Sequence, residues 1–365
     1  MGEKAYLILE DGSVFQGVSF GAKIAGSGEV VFNTSMTGYQ EVLTDPSYAG
    51  QIVNLTYPIV GNYGINRDDM ESSRIRVSGL IVRDHCDEPS HGSSESTLHQ
   101  FLLKYDVPGI SEVDTRAITR RLRSAGVMMG MITTDDPQLA LLNLKQKPKY
   151  DNLDLVADVS TTQVYDWPTP SLNPDYPMPR VLVTDSGLKY NILRHLRKRN
   201  CEVIVLPAAT SAEDMMDLKP SGILVSPGPG DPQLLDYVVN NVRDVLGKVP
   251  MMGICLGHQM IARALGASTF KLKFGHRGGN HPVKDLNTGK VHITSQNHGY
   301  SVDPDSLPNG LAISHINLND GTVEGLEHED LPLFTIQYHS EAAPGPQDNE
   351  YLFDKFVSLI NQNKG

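Results

Sequence analysis

A cysteine between two glycines is the residue best placed for covalent chemistry in this sequence. Cys255 lies in GICLGHQ, where the apolar stretch VPMMGI runs into a helical pattern that begins near Gly257. The spacing Gly-x-Cys-x-Gly is that of a nucleophile elbow with cysteine in place of serine. Glycines permit the sharp turn, and a helix N-terminus favours negative charge on the sulfur. The pattern predicts that Cys255 is a nucleophile; the alternative is a buried structural cysteine.

A histidine and a glutamate in the segment QYHSE form the second chemical group. His339 follows the apolar stretch LPLFTI, and Glu341 comes two residues later. An imidazole serves as the base for a thiol, and a carboxylate orients the imidazole. We therefore predict that His339 and Glu341 activate Cys255. The remaining histidines include no pair at i and i+4 with a glutamate between them, so we expect no metal site.

The glycine- and proline-rich loop SPGPGDP is the third feature. It is not a phosphate-binding P-loop, because no Lys-Ser or Lys-Thr follows and prolines lack backbone N–H donors. Gly228 and Gly230 instead let backbone amides approach a substrate, and one of them can supply an oxyanion-hole N–H. The alternative is a plain turn.

These three loops follow apolar strands in a segment that alternates between β and α patterns from residue 180 onward. VLVTD, VIVLP, GILVS and VPMMGI read as strands, with helical patterns between them. This order predicts an α/β fold with a doubly wound, mostly parallel sheet, in which ligands bind at the carboxyl ends of the strands. After Thr269 we expect shorter strands and then a terminal helix.

The first part of the chain differs in pattern. AYLIL and SVFQG flank an Asp-Gly turn and predict a hairpin, further strands follow, and DTRAITRRLRSAG predicts a helix between an Asp114 cap and Gly126. DWPTPSLNPDYPMPR contains five prolines and reads as an extended connector. We therefore expect a mixed α+β domain over 1–145, a connector over 146–179 and a second domain over 180–365.

Composition excludes several classes of function. Asp and Glu number 43 against 31 Lys and Arg, and the net charge of −12 disfavours nucleic acids and anionic membranes as partners. The opening MGEKAYLILEDG has no apolar core of a signal peptide, and no uncharged stretch suits a membrane helix. Three cysteines make neither a disulfide framework nor a zinc cluster, so we expect a cytoplasmic protein.

GICLGHQ with a downstream His-x-Glu resembles the class I, triad-type glutamine amidotransferases. NTSMTGYQEVLTDPSYAGQIVNLTYPIVGNYGIN, VPGISEVDTRAITRRLR and GHRGGNHPV resemble the small subunits of carbamoyl phosphate synthetases. The resemblance implies Cys255 as nucleophile, His339 as base and Glu341 as orienting carboxylate. It also implies that glutamine is held by Ser47, Gly228, Gly230, Leu256, Gln259, Asn297, Gly299 and Tyr300. Pro227 and Ser340 depart from the family pattern, which usually has Asn and Pro there.

The resemblance further implies a partner. Carbamoyl phosphate formation needs ATP, and this sequence has no nucleotide-binding loop, so we expect no cofactor here and ATP chemistry with its metal ions on a large subunit. The two chains would form a heterodimer that serves pyrimidine or arginine synthesis. Two alternatives stay open: a stand-alone cysteine hydrolase of the same fold, such as a peptidase or γ-glutamyl hydrolase, and a regulatory protein without activity.

Overall fold

A computed structural model of the chain describes residues 2–168 and 178–363. The chain divides into two compact units, Met1–Leu153 and Asp154–Gly365, here called the N-terminal and C-terminal units. Among the helices of the described residues, none combines the length and the apolar character that a bilayer crossing requires.

The strands of the N-terminal unit, in its described residues, are β1 Lys4–Leu9, β2 Val14–Gly21, β3 Gly26–Asn33, β4 Gln51–Leu55, β5 Ile59–Val60, β6 Gly79–Ile81, β7 Asp84–His85, β8 Pro108–Ser111 and β9 Met128–Thr133. Seven of them form a closed sheet in the order β1-β2-β8-β6-β4-β3-β9, and β5 pairs separately with β7. The helices are α1 Tyr39–Thr44, α2 Leu98–Lys104, α3 Thr115–Ala125 and α4 Pro137–Lys145, with short 3-10 helices at Pro46–Tyr48 and Tyr150–Asn152.

Local sequence explains two of these elements. The hairpin of β1 and β2 forms as expected: Ile8 pairs with Val14, and Gly12 takes a φ of 88°, which a glycine adopts without strain. Helix α3 begins where the Asp114 side chain accepts a hydrogen bond from the Ala117 backbone N–H at 2.9 Å. It ends at Gly126, as the sequence predicts.

The C-terminal unit is built on one ten-stranded sheet. Its described strands are β10 Tyr165–Asp166, β11 Arg180–Asp185, β12 Glu202–Pro207, β13 Gly222–Val225, β14 Met251–Ile254, β15 Thr269–Asp285, β16 Val291–Val302, β17 Leu311–Asn317, β18 Val323–His328 and β19 Leu333–Ile336. Their order in the sheet is β10-β12-β11-β13-β14-β19-β18-β17-β15-β16. The five neighbouring strands β12, β11, β13, β14 and β19 are parallel to one another, and the other neighbours pair antiparallel.

Helices cover both faces of the parallel strands. They are α5 Leu155–Val159, α6 Tyr190–Lys198, α7 Ala212–Asp217, α8 Asp236–Val245, α9 Leu256–Leu265 and α10 Tyr351–Gln362, with 3-10 helices at Pro232–Leu234 and Pro304–Ser306. One apolar cluster packs α6 and α10 against the sheet, and a second packs α7, α8 and α9 against it. The predicted doubly wound fold is therefore confirmed.

The segment after Thr269 differs from the expectation of short strands. β15 spans 17 residues and β16 spans 12, and they pair as a long antiparallel ribbon. The glycines of GHRGGNHPV suggest loop in the sequence, because isolated glycines weaken strands. Within the ribbon they fall at breaks in register between Lys271 and His276 and between Gly278 and His281, where bulges absorb them.

The segment predicted as a connector, 146–179, holds a helix and a strand of the C-terminal unit in its described part after Leu153. The division between the units falls after Leu153, and α5 follows it directly. β10 then pairs antiparallel with β12 at one edge of the large sheet. Residues 169–177, which hold three of the five prolines of this stretch, lie outside the described residues.

Candidate active site

The site lies where the parallel strands of the C-terminal unit end. Ile254 at the end of β14 pairs with Ile336 at the end of β19, so the residues that follow these strands are neighbours. The Cys255 backbone N–H donates to the Ile336 carbonyl oxygen at 2.8 Å. The cysteine loop and the QYHSE loop, predicted separately from the sequence, therefore emerge side by side.

Cys255 sits in a strained turn that its two flanking glycines make possible. Its φ of 53° lies in the left-handed region that non-glycine residues rarely adopt, as in a nucleophile elbow. A Cβ on Gly257 would lie 2.0 Å from the Val225 carbonyl oxygen, and one on Gly253 would lie 2.8 Å from the Gly257 carbonyl oxygen. Any side chain at either glycine would push α9 off the sheet and move the sulfur.

His339 and Glu341 form a closed pair next to the thiol. The His339 Nδ1–H donates to Glu341 Oε1 at 2.6 Å, and both side chains are buried. The other ring nitrogen, Nε2, is buried and has no hydrogen-bond partner among the described residues. That nitrogen is therefore available to exchange a proton with Cys255, whose side chain interacts with the imidazole.

Sequence reasoning missed a fourth member of this group, Lys189. Its Nζ lies 3.1 Å from Glu341 Oε1 and donates to the Ala342 carbonyl oxygen at 2.8 Å, and its side chain is 3% exposed. Lys189 precedes α6, in the loop that follows β11, the second parallel strand before β14 in the sheet. The position of this lysine, just after an apolar strand at the sheet edge that holds the site, was the only signal in the sequence. That signal is weak, because an isolated lysine usually faces solvent.

The charges of this buried group control its protonation. Burial alone would raise the pKa of Glu341, but the Lys189 ammonium and the His339 imidazole lower it to about 2. Burial alone would lower the pKa of His339, but the Glu341 carboxylate and the Cys255 side chain raise it above its ordinary value. The arrangement therefore favours an ionised Glu341 and an imidazole that readily accepts a proton.

We expect Lys189→Met to destabilise the fold by about 3–5 kcal/mol, because it leaves the Glu341 carboxylate buried without its cation. The double variant with Glu341→Gln should recover much of this loss. Because the folded-state pKa of Glu341 lies below its ordinary 4.5, the advantage of the native protein over Lys189→Met is complete above pH 4.5 and shrinks towards pH 2. Urea unfolding of the native protein, the single variant and the double variant across this pH range measures these differences in stability. Equal stability of native protein and single variant at pH 7 would contradict the ion pair.

A chain of amides surrounds the sulfur on its other side. The Cys255 Sγ–H donates to the Asn297 carbonyl oxygen at 3.6 Å, and Gln337 Nε2 lies 3.7 Å from the same sulfur. Gln259 Nε2 donates to the Tyr300 carbonyl oxygen at 2.8 Å and to Gln337 Oε1 at 2.9 Å. The structure thus brings three predicted glutamine contacts, Gln259, Asn297 and Tyr300, around the predicted nucleophile.

The SPGPG loop packs directly against this region. A Cβ on Gly228 would lie 2.0 Å from the Ser186 carbonyl oxygen and 2.8 Å from Leu256 Cδ2, so the backbone approaches too closely for any side chain. Gly230 takes a φ of 90°, the left-handed conformation that glycine accepts readily. Gly299 lies on β16 between Asn297 and Tyr300. Gly228 therefore lies against Leu256, the residue that follows Cys255.

Ser47 belongs to the N-terminal unit, on the 3-10 helix Pro46–Tyr48. That helix is capped by Asp45, whose Oδ1 accepts a hydrogen bond from the Ser47 backbone N–H at 2.8 Å. The Ser47 hydroxyl takes no part in the cap: it is buried and has no partner within the part of the chain that the structure describes. The turn does not need this hydroxyl, and a buried hydroxyl without a partner is uncommon in folded proteins.

A second buried polar cluster, which sequence spacing did not reveal, lies in the antiparallel part of the sheet. His276, His298 and Glu324 bring their ligand atoms within 4.8 Å of one another, a grouping able to hold a metal ion. Their atoms already have partners: His276 Nε2 lies 2.7 Å from Asp320 Oδ2, and His298 Nε2 lies 2.8 Å from Gln296 Oε1. We interpret the cluster as a hydrogen-bond network and propose no ion there.

The fold and the site together define a class. Residues 182–359 match the family model "Glutamine amidotransferase class-I", which covers the parallel sheet and all three loops. Residues 7–132 match a second family model, "Carbamoyl-phosphate synthase small chain, CPSase domain". The chain belongs to the carbamoyl-phosphate synthase small chain family, and the resemblance seen in its motifs is confirmed.

Relatives with this name match the chain over almost its whole length. The carbamoyl phosphate synthase small chain of Staphylococcus epidermidis is 50% identical over 363 residues, which cover 99% of this chain and 97% of the relative. That of Bacillus caldolyticus is 52% identical over 360 residues, 98% of this chain and 97% of the relative. The pyrimidine-specific small chain of Bacillus subtilis (strain 168) is 50% identical over 361 residues, 98% and 96% of the two chains.

Proposed function

We propose that this chain is the glutaminase subunit of a glutamine-dependent carbamoyl phosphate synthetase. It hydrolyses L-glutamine to glutamate and ammonia and delivers the ammonia to a large, ATP-using subunit. The observation that carries the proposal is the buried Cys255, His339 and Glu341 group at the end of the parallel strands. It lies in a chain whose N-terminal part matches the small-chain family model and whose C-terminal part matches the class I amidotransferase model.

Acylation begins with transfer of the Cys255 thiol proton to His339 Nε2, the ring nitrogen left without a partner. The sulfur attacks the carboxamide carbon of glutamine, and a C–S bond forms. The negative oxygen of the intermediate is stabilised by backbone N–H groups, for which Leu256 at the start of α9 and Gly230 are the donors that we propose. His339 then gives its proton to the leaving nitrogen, and ammonia departs as the C–N bond breaks.

Deacylation reverses the roles. His339 takes a proton from water as the water oxygen attacks the thioester carbon. The C–S bond then breaks to release glutamate, and His339 returns its proton to the sulfur to restore the thiol. Glu341 keeps its hydrogen bond to Nδ1 throughout, so that the imidazole presents Nε2 to the sulfur. The sum is glutamine plus water giving glutamate plus ammonia, and it requires no cofactor from this chain.

The orientation of Gln259 specifies what it can offer to glutamine. Both hydrogens of its Nε2 point at acceptors, the Tyr300 carbonyl oxygen and Gln337 Oε1. Only Oε1 is left for a ligand, and an oxygen suits the α-ammonium of glutamine. With Gln259 we propose that Ser47, Gly228, Gly230, Leu256, Asn297, Gly299 and Tyr300 bind the substrate.

Ser47→Ala should raise KM for glutamine more than it lowers kcat. The hydroxyl would contact the charged α-groups of glutamine, remote from the reacting carbon, so its contribution is similar in ground and transition states. A hydrogen bond to a charged group contributes roughly 1.5–3 kcal/mol, which corresponds to a KM increase of about tenfold to a hundredfold. Steady-state glutaminase kinetics measure it.

Ser111→Ala is the matched control for this prediction. Ser111 is a buried serine of the same unit, but its hydroxyl donates to the Val18 carbonyl oxygen at 3.3 Å. Its loss should lower stability and leave KM for glutamine as it was. If Ser47→Ala behaves like this control, Ser47 has a structural role and glutamine is bound without it.

The proposed partner is the large subunit, which would bind ATP and its metal ions, and the two chains would assemble as a heterodimer. Free ammonia in bulk water is mostly protonated and a poor nucleophile, so a protected route to that subunit is part of the proposal. We place the complex in the cytoplasm, because Cys86, Cys201 and Cys255 form no disulfide, which fits a reducing compartment.

The test combines this chain with the large subunit of a carbamoyl phosphate synthetase. Glutamate release and carbamoyl phosphate formation from glutamine, ATP and bicarbonate are the expected results. Cleavage of peptides or of γ-glutamyl peptides, with no release of glutamate from free glutamine, would favour the stand-alone hydrolase instead.

A further inference from the structure

Gln337 lies against the sulfur of Cys255 and takes no part in the proposed proton transfers. It follows β19, its side chain is fully buried, and its backbone N–H donates to the Glu324 carbonyl oxygen at 2.9 Å. Its Nε2 lies 3.7 Å from Cys255 Sγ. Within residues 2–168 and 178–363, the sulfur is the one hydrogen-bond acceptor that this nitrogen meets.

The orientation of this amide is fixed by a chain of hydrogen bonds that ends at a backbone carbonyl. The Tyr300 carbonyl oxygen is an acceptor only, so the Gln259 atom 2.8 Å away must be the NH2 group. The same NH2 group donates to Gln337 at 2.9 Å, so the Gln337 atom that receives it must be the carbonyl oxygen. The opposite end of the Gln337 amide, facing the sulfur, is therefore its NH2 group.

We propose that Gln337 is a catalytic hydrogen-bond donor that stabilises the thiolate of Cys255, with Gln259 holding its amide in place. The inference rests on the proposed function, in which Cys255 is the nucleophile. When the thiol proton moves to His339, the sulfur keeps the electron pair and Gln337 keeps both amide protons. An N–H bonds more strongly to a charged acceptor than to a neutral one, so the contact favours the thiolate over the thiol.

The three neighbours of the Cys255 sulfur differ in whether they favour the thiol or the thiolate. The sulfur has His339 as proton acceptor, the Asn297 carbonyl oxygen at 3.6 Å and the Gln337 amide at 3.7 Å. A carbonyl oxygen favours the thiol, because only the thiol has a hydrogen to donate to it. Among these neighbours Gln337 is thus the neutral donor, and it offsets the effect of the Asn297 carbonyl whether or not glutamine is bound.

The experiment measures the rate of Cys255 alkylation by iodoacetamide against pH, in the full chain and without glutamine. Modified Cys255 is followed by mass spectrometry of its peptide, which separates it from Cys86 and Cys201. Gln337→Met keeps the bulk of the side chain and removes the donor. We expect the midpoint of the alkylation profile to rise by about one pH unit, with a kcat for glutamine about tenfold lower and KM less affected.

Gln337→Glu and Gln296→Met complete the test. Gln337→Glu keeps the shape and places a carboxylate beside the sulfur, so its midpoint should rise further than that of Gln337→Met; it also serves if the methionine variant does not fold. Gln296 is an equally buried glutamine that donates to Glu324 Oε2 at 2.9 Å and makes no contact with the sulfur, so Gln296→Met should leave the midpoint unchanged.

An unchanged midpoint in both Gln337 variants, with folding retained, would overturn the inference and make Gln337 a packing residue. So would equal shifts in Gln337→Met and Gln296→Met, because these would report general loosening of the site. Neither result bears on whether Cys255 is the nucleophile, which the loss of glutamine hydrolysis in Cys255→Ser tests separately.

Discussion

Cys255→Ser should abolish glutamine hydrolysis, with a fall in kcat of roughly 10⁴-fold or more, since the members of such a group act as a unit. A serine hydroxyl is far harder to ionise than a thiol, and the His339 and Glu341 pair is matched to a sulfur nucleophile. In complex with the large subunit, carbamoyl phosphate synthesis from added ammonia should persist, because we propose that the ATP chemistry takes place there. Parallel assays with glutamine and with ammonium chloride measure both quantities.

The two other cysteines supply matched controls. Cys201 is fully buried in the apolar cluster beneath α6, and Cys86 is partly exposed, with its Sγ–H 3.4 Å from the Glu88 carbonyl oxygen. Cys86→Ser and Cys201→Ala should leave the glutaminase rate within a few-fold of the native protein. Near-normal glutamine hydrolysis by Cys255→Ser would show that the nucleophile is another residue, whatever the controls do.

His339→Asn should lower kcat by about 10²–10⁴-fold, the range expected when a general base is removed. Glu341→Gln should cost less, about tenfold to a hundredfold, because the carboxylate orients and charges the imidazole and does not itself transfer the proton. The Glu341 charge raises the pKa of His339. Without it the imidazolium is lost at lower pH, so the alkaline limb of the kcat profile of Glu341→Gln should move to lower pH.

The double variant His339→Asn, Glu341→Gln decides whether the two residues act together. If Glu341 works through His339, its loss should add little once His339 is gone, and the double variant should resemble His339→Asn alone. Penalties that add in log rate would contradict a shared role. Thermal unfolding of each variant is the control, since Glu341→Gln also leaves the Lys189 ammonium buried without its carboxylate.

The sequence alone predicted those features of the structure that depend on residues close together in the chain. The Gly-x-Cys-x-Gly spacing predicted the elbow, because glycines at both sides of Cys255 are what the turn and the close approach to Val225 require. Short apolar strands alternating with helical patterns predicted the parallel sheet. Since parallel strands end at the same edge, the sequence also predicted that the cysteine and histidine loops are neighbours.

The tertiary structure decided what depends on residues far apart in the chain. Nothing in the sequence around Lys189 distinguishes it from a surface lysine. In the folded sheet its Nζ lies 3.1 Å from the carboxylate of Glu341, 152 positions later in the sequence. The amide chain from Tyr300 through Gln259 to Gln337 joins three segments, and its direction follows from one backbone carbonyl. The buried cluster of His276, His298 and Glu324 has no motif spacing, because register shifts in the β15 and β16 ribbon set its geometry. Periodicity and spacing depend on residues close together in the sequence, so they predict local structure. Charge pairing and amide orientation depend on contacts that exist only after the strands have assembled.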